Sequence, residues 1–255
     1  MRVTQYIDPK FGFVTNLDKP EEPKQRPARV FTTRPYFAGF KEREGEKIEL
    51  GSITLTTVSP GYMVVVCEGR RGEGFYICPQ CGFGDKKYRR DPHKTPSGET
   101  CSANPSSLRP EVSLGHDFVT DVLKIQFHPS PPDGVEPIWF AYSLAYALVE
   151  GGAAEVLDVP ANDLNATVAH NEEFTVPPII LYDNVPGGAG LVARLQDTDM
   201  LKECLESSLR RVDGDCRCAD DTSCYGCLRS YRNQFAHLHL KRGPVKHYLE
   251  TILKG

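Results

Sequence analysis

The stretch CRCADDTSCYGC, residues 216–227, places four cysteines in the spacing C-x-C-x5-C-x2-C. Thiols this close together, in a chain with no recognisable secretion signal, are more typical of a metal site than of a disulfide framework. The Tyr-Gly turn between Cys224 and Cys227 lets two thiolates converge on one tetrahedral ion, and Cys216 and Cys218 can complete the shell. The spacing therefore predicts a structural zinc site; the alternative is a set of unrelated buried thiols.

The composition sets the outer limits of the fold and of the partners. The 255 residues are enough for one large domain or for two lobes. The net charge of -4 gives no overall basic field, so any binding to nucleic acid must be local. The start MRVTQYIDPK has no apolar core of a signal peptide, and no run of about 18 apolar residues occurs, so we expect a cytoplasmic protein without a membrane segment. The nine cysteines, an odd number, again favour metal over disulfides.

The N-terminal half combines an extended arm with a β-rich lobe. Residues 1–29 are rich in proline and charge and predict an arm that wraps a neighbouring surface. Residues 30–110 contain short segments of strand composition separated by Gly and Pro turns, which predict an antiparallel sheet. These segments are VFTTRPYF, KIELGSITLTTV, GYMVVVC and GFYIC.

A second candidate metal site ends this sheet. The turn CPQCG has the shape of a zinc knuckle, with Cys78 and Cys81 as two ligands. The nearest suitable donors downstream are His93 and Cys101, which would give C-x2-C-x11-H-x7-C and a second zinc. His116 is the competing fourth ligand; its alternative is a histidine hydrogen-bonded at the start of a strand.

Residues 111–255 predict an α/β lobe, so the whole chain is expected to be α+β or α/β, closed by the four-cysteine site. FVTDVLKIQF reads as a half-buried strand, and IWFAYSLAYALVEGG as a buried helix. EVLDV, LNATVAH and PPIILYD predict three further strands, the last in the middle of a sheet. A helix follows over residues 191–212, which the residues DTD at 197–199 are expected to interrupt by re-capping.

The glycine-rich segment NVPGGAG, residues 184–190, lies between that strand and that helix. Such loops can present backbone amides to a phosphate, but this one lacks the Lys-Ser/Thr of a P-loop and does not match G-x-G-x-x-G. A tight structural turn is the favoured interpretation. Asp183 at the end of the strand is expected to cap the loop amides, with a catalytic role as the alternative.

Four segments, taken together and in order, resemble a known family. They are LGHDFVTDVLKIQF, ALVEGGAAEVLDV, IILYDNVPGGAGL and the closing CRC…CYGCLRSYRNQ. The family is the MrfA-like zinc-binding domain, found at the C-terminus of bacterial superfamily-2 DNA helicases and in the DrmB component of the DISARM anti-phage system. The resemblance covers roughly residues 75–240. It implies a zinc-binding, helicase-associated domain of DNA repair or anti-phage defence, with the four cysteines of 216–227 as ligands.

The chain departs from the family in lacking the helicase motor. No GxxxxGK[ST] sequence occurs, so this chain alone is expected not to hydrolyse ATP. It is therefore expected to be either the end of a longer superfamily-2 helicase or a subunit that works with a motor in a separate chain.

Two functions from different classes remain open at this point. The first is an accessory module that holds or guides DNA beside the motor. The second is a small metal-dependent nuclease or phosphoester hydrolase that uses His116, Asp121 and Asp183, with Asp117 on the same strand face as Asp121. The pattern GHD-x3-D is compatible with the enzyme but does not reach the strength of a catalytic motif, so the module is favoured.

A local basic segment is the candidate for contact with DNA, expected to be single-stranded. Residues 228–255 contain six basic residues and one acid, Glu250, and the aromatic rings of Tyr231 and Phe235 could stack on bases. Arg229 and Arg232 directly follow the zinc cluster and are the predicted contacts. The alternative is the solvated face of a helix that begins near Pro244. The next candidates are Lys86, Lys87, Arg89 and Arg90.

Overall fold

A computed structural model describes residues 6–7, 31–40, 45–70, 72–88, 90–95, 97–169, 174–214 and 216–254. These residues form a mixed α+β fold in which most strand pairs are antiparallel. The strands are β1 (Tyr6–Ile7), β2 (Phe31–Phe40), β3 (Lys47–Leu50), β4 (Ile53–Arg70), β5 (Phe75–Ile77), β6 (Gly84–Asp85), β7 (Arg109–Phe127), β8 (Leu164–Val168) and β9 (Ile179–Asp183). The helices are α1 (Pro137–Ala147), α2 (Ala154–Val156), α3 (Thr198–Asp213) and α4 (Arg242–Lys254). Apart from β1, the predicted arm at 1–29 lies outside the described residues.

The chain divides into two compact units. The first comprises Met1–Arg34 and Val65–His116, and the second comprises Pro35–Val64 and Asp117–Gly255. The long strands β4 and β7 therefore contribute residues to both units. Among the described residues, each unit contains one group of cysteine or histidine donors that could hold a metal ion.

The first unit is built on short strand pairings. Strand β5 pairs antiparallel with β6 and with the start of β7, where Phe75 lies opposite Val112. Strand β1 pairs parallel with β7 at Ser113 and Leu114. Phe75, Ile77 and Leu114 form a small buried cluster. The strand predicted from GFYIC is confirmed, and it ends where the first cysteine pair begins.

The second unit has β9 at the centre of its sheet. Strand β9 pairs antiparallel with β7 on one side and with β8 on the other, so that Leu181 lies opposite both Leu123 and Ala166. All five residues of β9 are buried, as its near-continuous apolar sequence predicts. Strands β3 and β4 form an antiparallel pair in the same unit, with Ile48 opposite Leu55.

Helix α1 covers this sheet and is buried on nearly every side from Phe140 onward, which confirms the predicted buried helix. It continues without a break into a π-helical segment, Leu148–Ala153, and then into α2. The strand predicted from EVLDV is wrong, because this segment forms α2 and a turn. The amide of Leu157 donates to the carbonyl oxygen of Ala153 at 2.9 Å, so the backbone is paired within the helix rather than in a sheet.

Helices α3 and α4 complete the second unit. Asp197 caps α3, since its Oδ1 accepts hydrogen bonds of 3.0 Å from the amides of Asp199 and Met200. A short 3-10 turn precedes it, so the predicted interruption is confirmed. Helix α4 buries Val245, Tyr248 and Leu249 of the expected apolar stripe. Over the described ranges, none of the helices combines the length and the apolar character that crossing a membrane requires.

Candidate metal centres

The four cysteines of residues 216–227 come together just after α3. Their sulfur atoms all lie within 4.8 Å of one another. The Sγ–Sγ distance is 3.3 Å between Cys216 and Cys218, 3.7 Å between Cys218 and Cys227, and 3.9 Å between Cys224 and Cys227. Thiolates bound to a tetrahedral zinc ion at about 2.3 Å stand about 3.8 Å apart. The donor set therefore fits zinc in both chemistry and spacing.

Backbone amides support the thiolate form at this cluster. The amide of Cys224 donates to Cys227 Sγ at 3.2 Å, and the amide of Gly226 donates to Cys224 Sγ at 3.3 Å. The turn that carries both cysteines is closed by a hydrogen bond of 3.2 Å from the amide of Cys227 to the carbonyl oxygen of Cys224. A Cβ atom on Gly226 would stand only 3.2 Å from Cys216 Cβ, so glycine suits the close approach of the two halves.

The thiols influence one another's ionisation in opposite directions. Burial opposes ionisation of Cys216, but hydrogen bonds from the backbone of Cys218 and from the neighbouring thiols lower its pKa to about 7. Burial raises the pKa of Cys218 to about 12, and the adjoining sulfur atoms of Cys216 and Cys227 add to this. Ionisation of one thiol in the cluster is thus favoured, and ionisation of the next thiol is opposed. A divalent cation removes that penalty, and its binding would release protons.

Arg211 connects helix α3 to the cluster. Its Nε donates a hydrogen bond of 2.9 Å to the carbonyl oxygen of Cys227.

Helix α3 lies close to the π-helical segment, because Gly151 and Gly152 have no side chains. A Cβ on Gly151 would stand 2.6 Å from Arg211 Cβ, and one on Gly152 would stand 2.6 Å from the carbonyl oxygen of Cys204. These contacts were not predicted from the sequence, although a glycine pair inside an apolar helix is a signal of close packing.

The second group of donors lies in the first unit. Cys78, Cys81, His93 and Cys101 place their ligand atoms within 4.8 Å of one another. Cys78 Sγ and Cys101 Sγ are 4.0 Å apart, and Cys81 Sγ lies 3.2 Å from His93 Nε2. Three thiols and one imidazole in this arrangement match a structural zinc site of the Cys3His type.

Local structure holds the knuckle and the distal pair in place. The amide of Gly82 donates to the carbonyl oxygen of Cys78 at 3.0 Å, with Gly82 in the left-handed conformation at φ 76°. The ring of Phe83 stacks on His93, with 4.4 Å between the centroids. The amide of Cys101 donates to the carbonyl oxygen of His93 at 2.9 Å, which pairs the two distal donors.

The pKa values at this site follow the same logic as at the first. Burial opposes the thiolate of Cys78, but the backbone amides of Cys81 and Gln80 and the adjoining thiols keep its pKa below the ordinary value. Burial raises the pKa of Cys81 to about 11. His116, the competing ligand, has an exposed side chain on β7 and is not a member of either group among the residues described.

The glycine-rich loop is bound to carboxylates of its own chain. Asp183 is fully buried, and its carboxylate accepts three loop amides at 2.8 to 2.9 Å. Asp121 Oδ2 accepts a fourth, from Gly190, at 2.7 Å. The three amides on Asp183 belong to Ala189, Leu191 and Val192. The capping role predicted for Asp183 is thus confirmed, and the glycines serve a structural turn.

The residues of the alternative catalytic hypothesis have different surroundings. Asp121 and Asp183 both bind the glycine loop of the second unit. Asp117 has an exposed side chain on β7, and His116 belongs to the first unit.

The two arginines predicted to touch DNA make contacts within the chain. Arg229 Nε donates to Ser223 Oγ at 3.0 Å. Arg232 donates from its two terminal nitrogens to the carbonyl oxygens of Asn162 and Ala161, at 3.1 and 2.6 Å. Arg232 therefore anchors the segment that follows the cysteines, while several N–H groups of both guanidinium ions remain for other partners.

A family model matches part of the second unit. Residues 144–228 match the model of the MrfA Zn-binding domain. The matched residues run from the last turn of α1 to the residue after Cys227, and they include all four cysteines of 216–227.

Individual relatives of the chain are much longer proteins. The Druantia protein DruE of Escherichia coli (strain UMEA 4076-1) is 24% identical over 282 aligned positions, which cover the whole of this chain and 15% of that protein. A crystal structure of the DUF1998 helicase MrfA bound to DNA aligns with 88% of this chain and 25% of its own, at 14% identity and a TM-score of 0.47. The MrfA structure bound to DNA and AMPPNP aligns with 87% of this chain and 22% of its own, at 12% identity and a TM-score of 0.35.

Proposed function

We propose that this chain is a zinc-stabilised accessory module that works beside a superfamily-2 DNA helicase motor, where it holds or guides DNA or docks on the motor. The observation that supports the proposal is the convergence of four thiols inside the segment that matches the model of the MrfA Zn-binding domain. The motor would lie in the same polypeptide or in a partner chain, since this sequence has no P-loop. The proposed setting is cytoplasmic DNA repair or anti-phage defence, as the family resemblance implies.

The proposal includes two zinc ions with structural roles. One would be held by the four cysteines of 216–227, and the other by Cys78, Cys81, His93 and Cys101. In each case the protein supplies four donors, which leaves no open position for a water or a substrate. When bound, each ion would cross-link the segments that carry its four ligands. The chain would then depend on metal for its folded state rather than for a reaction.

Contact with DNA is proposed for the segment that follows the four-cysteine cluster. Arg229 Nε donates to Ser223, and this bond orients the guanidinium group. Its terminal nitrogens can therefore bind a phosphate without the side chain having to become ordered first. Arg232 would act mainly as the anchor of this segment, through the carbonyl oxygens of residues 161 and 162. Lys86, Lys87 and Arg90, all exposed in the first unit, are the alternative surface; Arg89 lies outside the described residues.

The test is DNA binding by the zinc-loaded chain. A fluorescein-labelled oligothymidine of about 20 nucleotides, close to the upper range of single-strand binding sites, is titrated in a salt series. We expect binding that weakens with salt, no ATP turnover, and a salt slope smaller by about one for Arg229→Ala. Lys202→Ala, an exposed change on α3, is the matched control and should leave the slope unchanged. A zinc-loaded chain that bound neither this strand nor a duplex at low salt would overturn the DNA-holding role and leave only docking on the motor.

A further inference from the structure

Bulky apolar side chains are exposed on the turn between Cys224 and Cys227 and on the segment that follows it. Tyr225 is 62% exposed, Tyr231 is 77% exposed and Leu238 is 92% exposed. These are three of the seven large hydrophobic side chains that are exposed among the described residues, and they lie within residues 225–238. Scattered apolar side chains on a surface need no explanation, but such a concentration points to a binding surface.

The residues that carry these side chains lie close to one another in the fold. The ring of Tyr225 meets the ring of His237 edge to face, with 5.5 Å between centroids. His237 Nε2 donates to the carbonyl oxygen of Ser230 at 3.0 Å, and Ser230 directly precedes Tyr231. Leu238 directly follows His237. We call this set, residues 225, 229–231, 237 and 238, the tyrosine face.

Buried hydrogen bonds hold the tyrosine face in shape. Asn233 is fully buried, its Oδ1 accepts the amide of Ser230 at 2.8 Å, and its Nδ2 donates to the carbonyl oxygen of Leu228 at 2.8 Å. The same Oδ1 lies 2.9 Å from His237 Nε2. Arg232 also holds the loop, through its hydrogen bonds to the carbonyl oxygens of Asn162 and Ala161. Tyr231 is therefore exposed on an ordered loop, so a ligand would not have to order this loop on binding.

Two arginines accompany the residues of the tyrosine face. Arg229 lies near enough to His237 that its charge, after the larger effect of burial, lowers the pKa of the imidazole. Arg217, between Cys216 and Cys218, is exposed and adopts a left-handed conformation with φ 58°. Among the acids of the cysteine loop, Asp220 pairs with Arg242 at 3.1 Å, and Asp221 is exposed.

We propose that Tyr225 and Tyr231 stack on bases of a single-stranded nucleic acid while Arg217 and Arg229 contact its phosphates. This rests on the proposed DNA-binding function and specifies its ligand and surface. Every base offers a π-face, so exposed rings on a rigid basic loop suit a single strand of any sequence. A protein partner would also cover tyrosines and arginines, but the basic surroundings of the rings favour a polyanion.

The test compares a stackable with an unstackable strand. An oligothymidine of about 20 nucleotides and an abasic strand of the same length share phosphates but differ in bases. Tyr231→Leu should bind oligothymidine about 5- to 100-fold more weakly, with affinity for the abasic strand unchanged, and Tyr225→Leu should show the same pattern. Tyr231→Phe keeps the π-face and should bind nearly as the wild type. Tyr62→Leu changes a tyrosine on β4 that is 37% exposed and serves as the matched control.

Each remaining outcome overturns the inference. Leucine variants that bind oligothymidine like the wild type would assign the face to a protein partner. Equal losses on both strands would show a contribution to phosphate binding without stacking. A wild type that binds no strand would overturn the proposed DNA-holding role as well, which distinguishes the two failures. Zinc content is measured for every variant, and Tyr231→Trp gives a second readout, since its fluorescence should be quenched by oligothymidine and not by the abasic strand.

Discussion

Arg211 Nε donates a hydrogen bond of 2.9 Å to the carbonyl oxygen of Cys227. Cys227 is fully buried, so water is not available to replace this bond. The bond joins the rigid helix α3 to the last donor of the four-cysteine cluster. Arg211 therefore positions the cluster without being a ligand.

Replacing Arg211 should weaken both the fold and the retention of metal. For Arg211→Met we expect a loss of about 1 to 3 kcal/mol in the free energy of unfolding, because a buried carbonyl loses a charged donor. Zinc should also pass more quickly to a chromogenic chelator. Arg210→Met is the matched control: Arg210 is exposed, pairs with Glu155 at 3.7 Å, and should change stability by less than about 0.5 kcal/mol. Equal effects of the two substitutions would contradict the positioning role.

Metal analysis should find two zinc ions for each chain, and each should depend on its own cysteines. Cys227→Ser should remove the ion of the second unit and Cys101→Ser that of the first, each with a loss of several kcal/mol, because structural zinc contributes directly to folding. Cys67→Ser is the control, since Cys67 is half-buried and outside both groups. Fewer than one equivalent of zinc in the wild type would refute both sites.

Asp183→Asn should destabilise the second unit by about 2 to 4 kcal/mol, measured by urea unfolding. An asparagine would turn an NH2 group toward amides that now donate to a carboxylate oxygen, so a buried donor would lose its acceptor. Asp117→Asn, on the exposed side of β7, is the control and should be nearly neutral. If Asp183→Asn instead kept full stability and abolished a manganese-dependent cleavage of DNA, the nuclease hypothesis would replace the accessory module.

An ion pair between α3 and α4 should make stability depend on acid pH. Lys246 Nζ lies 2.6 Å from Asp213, and its hydrogen bond and charge lower the pKa of Asp213 below the ordinary value of 3.8. A carboxyl group whose pKa is lowered by folding stabilises the fold at pH values above its ordinary pKa. This stabilisation is lost as the pH falls through the lowered pKa. Lys246→Met should therefore be less stable than the wild type at neutral pH, and the difference should vanish in strong acid.

The measurement for this pair is unfolding at several pH values, together with an NMR titration of Asp213. In the Lys246→Met variant the carboxyl should titrate closer to its ordinary pKa. Lys202→Met, on the exposed side of α3, removes the same charge and should leave the titration of Asp213 where it is. A stability difference that persisted unchanged into strong acid would show that Lys246 acts through packing instead.

The sequence alone determined the features that depend on near neighbours. The spacing of Cys216, Cys218, Cys224 and Cys227 predicted a cluster that the chain forms, since turns of two to five residues restrict where thiols can go. The sequence also predicted the buried strand β9 and the cap at Asp197, because burial and capping follow from adjacent residues. The strand predicted for the segment EVLDV was wrong because its structure depends on the element that precedes it. The helix that begins with α1 continues into this segment, and that continuation overrides its strand-like composition.

Tertiary structure decided how distant residues are used. Nothing near Arg232 in the sequence shows that its guanidinium binds carbonyl oxygens at residues 161 and 162, or that Arg211 reaches Cys227. Gly151 and Gly152 likewise acquire their meaning only when α3 packs against them. Local pattern specifies which groups can bind a metal or a phosphate. Only the three-dimensional packing of distant segments determines which of those groups are already occupied within the chain and which, such as the rings of Tyr225 and Tyr231, remain exposed to a partner.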